Sequence, residues 1–429
     1  MTDFKQLFKD FENCSCGIKH ECAIKDIRIE SGLTARVGTI LMENHFPKKL
    51  LLVADKNTLA ASEGIREALA GFSVTEHIYD DLRVASMEVT HEIEQRLING
   101  CEAILAAGSG SIHDPCRLAA ARHSVPLCLF ATAPSMDGFA SYSSPIVENH
   151  FKKTHPAKCP EVILADTKIL ASAPAALKSA GFGDIIGKYI ALLDWKSPFV
   201  IHEHSDDPYC EKVAGLTRMA ADRCLKNASR VTLCDEEAAA ELFETLLLSG
   251  IAMSFMKNSR PASGTEHMMA HFVECKELLE DQIPSYHGAD VGLATLTIAK
   301  LYHHVAKIPS VVGRKEENNW DEIEAAYGPL ADGMKKMNLP TTITHGIERD
   351  RVEKYWDDIR ALIAELPPYE ELKTAMEAAG CQTSWAEAGK SEELIRQSFL
   401  YDPYMRHRLT VRRILNMTNL ADELETFPL

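Results

Sequence analysis

Short apolar runs bounded by turn residues recur through the first part of the chain, and apolar positions at helical spacing fill the rest. The clearest run is Leu50-Leu51-Leu52-Val53-Ala54 ahead of Asp55. With no polar break, it predicts a strand buried on both faces of a parallel sheet. Helical composition follows at 60–69, then a less sharply patterned strand–helix step at 73–98. Ala103-Ile104-Leu105-Ala106-Ala107 repeats the buried-strand pattern, and Gly108-Ser109-Gly110 turns the chain. Asp114-Pro115 then suits the N-cap and first position of a helix. Further strands are expected at 126–130 and 162–166, after which the alternation stops. From Ala171 nearly every stretch reads as helix, with loops near 197–207, 284–287 and 307–319. The expected architecture is an α/β, Rossmann-like dinucleotide-binding domain over 1–170 and an all-α domain over 171–429, divided somewhere in 167–176.

In parallel sheets ligands bind beyond the carboxyl ends of the strands. Asp55, the turn from Gly108 to Asp114 and the loop from Thr132 to Ser141 all fall there. A glycine turn leading into a helix presents backbone N–H groups to a phosphate. The run is not the full G-x-G-x-x-G fingerprint, and a turn without a ligand uses glycine too. Asp55 at a strand end suits a ribose diol and repels a 2′-phosphate; capping a helix is the competing role.

In the helical half His267 and His271 stand four residues apart, on one face of a helix, and His287-Gly288 follows sixteen residues later. Such a pair with a further donor is part of many metal sites, or simply two polar residues on a half-exposed helix. Asp184, placed by pattern at a helix start, is either a cap or the carboxylate of an Asp/His/His set with an open position. No zinc-protease signature is present, because Met268 follows His267 and Glu266 precedes it. Cys14, Cys16, His20 and Cys22 lie within nine residues, too tight for a two-knuckle zinc site. A small N-terminal strand or hairpin with buried thiols is the competing expectation. The basic tail around Arg406, Arg408, Arg412 and Arg413 is acid-flanked and reads as a solvated or interdomain helix.

Composition narrows the class. The 429 residues, 46% hydrophobic and 25% charged, suit a globular protein of two or three domains. Twelve scattered cysteines read as reduced thiols. No apolar run approaches the ~20 residues of a membrane span, and the first residues lack a signal-peptide shape, so cytoplasmic residence is expected. A net charge of −16 argues against nucleic-acid and membrane-surface binding, while leaving room for an anionic small substrate.

With these pieces in order, the chain resembles the sn-glycerol-1-phosphate dehydrogenases, within the superfamily of iron-containing alcohol dehydrogenases, glycerol dehydrogenases and dehydroquinate synthases. The resemblance rests on Gly108-Ser-Gly-Ser-Ile-His-Asp114, Thr132-Ala-Pro-Ser-Met-Asp-Gly138, Ala180-Gly-Phe-Gly-Asp184, Ser259-Arg-Pro-Ala-Ser-Gly-Thr-Glu-His267 with His271, and His287-Gly288. It implies a dehydroquinate synthase-like fold with the active site between the domains. It further implies Asp184, His267 and His287 as ligands of zinc or nickel, with Asp137, Asp184 and His271 at the substrate and Asp184 and His271 in catalysis. Asp55, Gly110, Ser111, Ile112, His113, Asp114, Thr132, Ser135 and Ser141 become the expected dinucleotide contacts. The implied reaction is reduction of dihydroxyacetone phosphate by NAD(H) or NADP(H), giving sn-glycerol 1-phosphate, a phospholipid precursor. A homodimer or larger homo-oligomer is implied as well. Arg260 with the loop 259–265 is the expected phosphate anchor, from charge and proximity. Alternatives are a glycerol or polyol dehydrogenase of the same fold, a dehydroquinate-synthase-like cyclase, and a silent scaffold or metal-storage protein.

Overall fold

The structure is a computed structural model and describes residues 1–203 and 208–429; positions 204–207 of the loop expected at 197–207 lie outside them. Among the described residues there are eight strands: β1 (Asp26–Glu30), β2 (Lys49–Asp55), β3 (Ser73–Tyr79), β4 (Ala103–Gly108), β5 (Leu127–Ala131), β6 (Ser143–Glu148), β7 (Phe151–Pro156) and β8 (Val162–Asp166). The helices that matter below are α1 (Phe4–Glu12), α2 (Gly110–His123), α3 (Ala175–Ile186), α4 (Lys188–Val200), α5 (Glu211–Lys226), α6 (Glu236–Met256), α7 (Thr265–Leu279) and α8 (His287–Val305).

Six strands form one parallel sheet in the order β1-β8-β5-β4-β2-β3. The unbroken apolar run of β2 has a simple cause, since successive side chains point to opposite faces and both faces are covered. Leu50, Leu52 and Ala54 pack with Leu41 and Phe46, while Leu51 and Val53 pack with Ile93 and Ile104. β6 and β7 pair as an antiparallel hairpin that the sequence reading did not anticipate. Its turn is Asn149-His150, both at positive φ, rather than the Asn-Gly that usually marks such turns.

Three local expectations need correcting. The helix after β4 starts at Gly110, not at Asp114-Pro115, and carries Pro115 inside it. The N-terminal segment is helical, because Asp3 accepts a bond from the Gln6 amide and Phe4, Leu7, Phe8 and Phe11 fall on one packed face. The basic tail is not solvated. Arg413 is fully buried and pairs with Glu316 at 2.7 Å, while Arg412 donates to the Phe399 and Leu400 carbonyls.

A fourth concerns membrane-length apolar stretches. α6 has 21 residues and a mean hydropathy of 1.4, enough by length and composition to span a bilayer, yet 94% of that stretch is buried inside the protein. It is the central helix of the core, against which α3, α5 and the segment before β6 pack.

Candidate active site

The chain leaves β2 for β3 on one side and returns to β4 on the other. At such a switch point the loops diverge and open a crevice at the carboxyl ends of the two strands. Asp55 ends β2, Gly108 ends β4, and Asp55, Ser109 and Gly110 border the cavity found there. Ser109 is extended and makes no side-chain cap, so the first amides of α2 face the crevice without a capping group. Asp55 does double duty. Its Oδ1 accepts from the Thr58 amide at 2.7 Å in a reciprocal capping box, while the residue still lines the cavity.

Of the other expected dinucleotide contacts, Ser111, Ile112, Asp114, Ser135 and Ser141 border the same cavity. His113 and Thr132 do not. The turn of α2 points His113 away, edge-on to Phe139 at 5.5 Å, where burial and Arg117 lower its pKa to about 3. Thr132 is buried, with its amide bonded to the Gly108 carbonyl. Burial raises Asp114 to about 6 against the pull of Arg117, which lies 3.2 Å away. The enclosed Arg117 also donates to the Gly138 and Ser143 carbonyls and to Ser144 Oγ, clamping the loop that carries Asp137.

The metal-type donors meet where α3 and α8 touch through glycines. A Cβ on Gly183 would strike the Gly288 carbonyl, and one on Gly288 the Ala180 carbonyl. This backbone contact sets Asp184 beside His287. Asp184 lies in the last turn of α3 rather than at a helix start, so it caps nothing. His267 enters from the first turn of α7. Ligand atoms of Asp184, His267 and His287 all lie within 4.8 Å of one another. His267 Nδ1 bonds Glu266 Oε1 at 2.6 Å, and His287 Nδ1 bonds Glu274 Oε1 at 2.6 Å. Each ring thus has its tautomer fixed and Nε2 left as the remaining donor, the arrangement that metal-ligating histidines adopt. The donor set therefore fits a divalent ion. His271, Glu274 and His287 form a second such triplet, but there Glu274 is already shared between His287 and Lys152.

Sequence reasoning missed the groups that organise this cluster. Lys188, fully buried, contacts Asp184 at 2.7 Å and Asp137 at 2.9 Å. The second Asp184 oxygen accepts the Asp137 amide at 2.9 Å, and Ser249 Oγ donates to Asp137 at 2.8 Å. Burial works to raise the Asp184 carboxyl, but Lys188, His267 and His287 outweigh it and hold it well below the usual carboxylate range. Lys188 stands four residues after Asp184 on adjoining helices, a spacing the sequence displays. Arg406 and Lys152 had no local signal, yet both line the cavity beside His271. Arg406 Nη2 lies 3.4 Å from His271 Nδ1.

Arg260 stands elsewhere. It is 1% exposed, donates to the Asp194 and Leu409 carbonyls, and does not border the cavity, although Ser259 and Ser263 do.

Residues 28–174 match the profile described as iron-containing alcohol dehydrogenase. Glycerol-1-phosphate dehydrogenase (NAD(P)+) of Halalkalibacterium halodurans is 29% identical over 422 residues, 96% of this chain and 97% of that protein. The enzyme of the same name from Geobacillus thermodenitrificans is 31% identical over 388 residues, 87% of this chain and 88% of its own. This chain belongs to the glycerol-1-phosphate dehydrogenase family. Its fold is shared more widely. The crystal structure of a probable glycerol dehydrogenase from Sinorhizobium meliloti 1021 covers 96% of this chain and 99% of its own, with TM-score 0.64 at 15% identity. The expected sheet domain followed by helices, in a dehydroquinate synthase-like arrangement, is thereby borne out for this family member.

Proposed function

We propose that this chain is a metal-dependent sn-glycerol-1-phosphate dehydrogenase, reversibly reducing dihydroxyacetone phosphate with NAD(H) or NADP(H). The observation that carries it is Arg406, a half-buried guanidinium with no carboxylate partner among the described residues, facing the cavity beside the metal-type donors. Buried charges are normally paired, so this end of the cavity calls for an anion such as a phosphoryl group. That favours the phosphorylated substrate over the unphosphorylated glycerol or polyol of the runner-up reading.

Residues 1–170 supply the dinucleotide crevice and residues 171–429 the metal donors, with Asp137 and Lys152 reaching across from the first. Asp184, His267 and His287 would hold zinc or nickel, either of which suits imidazole and carboxylate ligands. When bound, the ion supplies a Lewis acid for the substrate oxygens and the nicotinamide supplies hydride. The chain does the rest. Lys188 and Ser249 fix the Asp137 carboxylate for a substrate hydroxyl. Burial, Lys152 and Arg406 hold His271 neutral. An arginine only donates, so His271 Nδ1 accepts from Arg406 and the imidazole proton sits on Nε2, where it orients the substrate oxygen and the water that supplies the product proton. Arg406, with Lys152 behind it, anchors the phosphate.

Arg406→Ala is expected to raise KM for dihydroxyacetone phosphate about 10- to 100-fold, the worth of one charge-assisted hydrogen bond, and to leave that for dihydroxyacetone nearly unchanged. Equal effects on both substrates in steady-state assays would remove the phosphate role. Chelation should abolish reduction of dihydroxyacetone phosphate; insensitive activity would sink the metal-dependent reading. Asp55→Asn separates capping from cofactor choice. Asparagine caps as well as aspartate, so stability should hold, while removal of the charge should raise the NADPH-to-NADH ratio of kcat/KM about tenfold. An unchanged ratio would leave Asp55 as a cap alone. Cytoplasmic residence is supported by twelve free cysteines, six of them buried. A homodimer or larger homo-oligomer completes the proposal and is measurable by sedimentation velocity.

A further inference from the structure

The N-terminal cysteine cluster is completed by a residue nearly two hundred positions away. Ligand atoms of Cys14, Cys16, His20 and Cys210 lie within 4.8 Å of one another. Cys14 Sγ is 3.7 Å from Cys210 Sγ, and His20 Nε2 is 3.2 Å from Cys16 Sγ and 3.5 Å from Cys210 Sγ. A tetrahedral zinc ion with bonds of about 2.3 Å to sulfur and about 2.0 Å to nitrogen sets sulfurs about 3.8 Å apart and sulfur and nitrogen about 3.5 Å apart. The observed spacings match those of a site already shaped for the ion. Cys22, which the sequence had grouped with the others, faces away, with its Sγ 3.7 Å from Cys159 Sγ.

The surroundings fix the imidazole and the positions of the sulfurs. His20 is buried, and its Nδ1 bonds the Phe255 carbonyl at 3.2 Å, which turns Nε2 toward the three sulfurs. Gly17, at φ +81, folds the chain so that the Ile18 amide points at Cys16 Sγ, 3.4 Å away. Cys210 is the N-cap residue of α5, a helix of sixteen residues, so the start of that helix fixes where its sulfur stands.

We propose that Cys14, Cys16, His20 and Cys210 form a structural Cys3His zinc site, sharing no residue with the active centre. The four ligands are all protein groups, with no position kept open for substrate, which is the structural form of a zinc site. Binding releases the thiol protons and ties α1 and the loop after it to the start of α5 and the end of α6. Before β1 this segment has no strand pairing among the described residues to anchor it, so the ion takes that part.

The test is elemental analysis of the full-length protein, purified under reducing conditions, loaded with zinc and desalted. Two zinc equivalents per chain are expected for the wild type. One is expected for Cys16→Ser, Cys210→Ser and His267→Ala, and two for Cys22→Ser. Cobalt(II) loading separates the sites, since sulfur-to-cobalt charge-transfer absorption should persist in His267→Ala and vanish in Cys16→Ser and Cys210→Ser. Were those serine variants not to fold, the wild-type and His267→Ala spectra decide by themselves. One equivalent in the wild type with no charge-transfer band would overturn the site. So would a thiol titration of metal-free reduced-purified protein finding Cys14 and Cys210 joined as a disulfide. Loss of dehydrogenase activity in His267→Ala with the band intact keeps this test independent of the proposed function.

Discussion

His267→Ala is expected to lower the rate of dihydroxyacetone phosphate reduction about a thousandfold or more and to remove one metal equivalent per chain. His271→Ala, one helical turn away, should keep the metal and lose about a hundredfold in kcat, the scale of a lost proton relay. The difference follows from what each ring touches. His267 has Nδ1 held by Glu266 at 2.6 Å and Nε2 turned to Asp184 at 3.5 Å. His271 instead stacks on His287, with ring centroids 5.2 Å apart, and faces Arg406 through Nδ1. A cation beside Nδ1 is poor company for a ligand ring and good company for a neutral ring that offers Nε2–H as a hydrogen-bond donor. Metal analysis together with steady-state rates decides it. Loss of metal in His271→Ala with retention in His267→Ala would transfer the ion to the His271, Glu274 and His287 triplet and reverse the roles.

Features set by local pattern were legible in the sequence, and those set by distant contacts were not. The run at β2 announced a strand because burial on both faces excludes polar residues from every position. Asp55, Asp184, His267 and His287 were picked out as candidates, and the structure sets the last three together. The start of α2 was misplaced because Asp-Pro is a strong local cap signal, while the Gly108 to Gly110 turn had already begun the helix. Lys188 was in view four residues beyond Asp184 but had no visible reason to be buried until Asp137 arrived from the loop after β5. Arg406 and Cys210 are the extreme cases. Each comes from a segment far along the chain, and no spacing rule connects it to His271 or to Cys14.

Lys188→Met should expose how much of the site rests on one buried cation. Lys188 is fully enclosed between Asp137 and Asp184, and the two carboxylates hold its ammonium above the usual lysine range against burial. Removing one partner of a buried pair costs about 3–5 kcal/mol, because the charge left behind is uncompensated. Denaturant melts of metal-free protein should show that loss, and added zinc should recover part of it by giving Asp184 a new counter-charge. The pH dependence gives the sharper reading. In the wild type the Asp184 pKa is depressed, so its stabilisation is present above about pH 4 and is lost as pH falls below that. Without Lys188 the folded protein holds a proton on the buried carboxyl that the unfolded chain releases. Stability of the variant should then fall as pH rises from about 5 to 7, where the wild-type contribution is flat. Parallel stability curves for the two proteins over that range would mean that Lys188 fills space without balancing charge, and that the Asp184 carboxylate owes its ionisation to His267 and His287 alone.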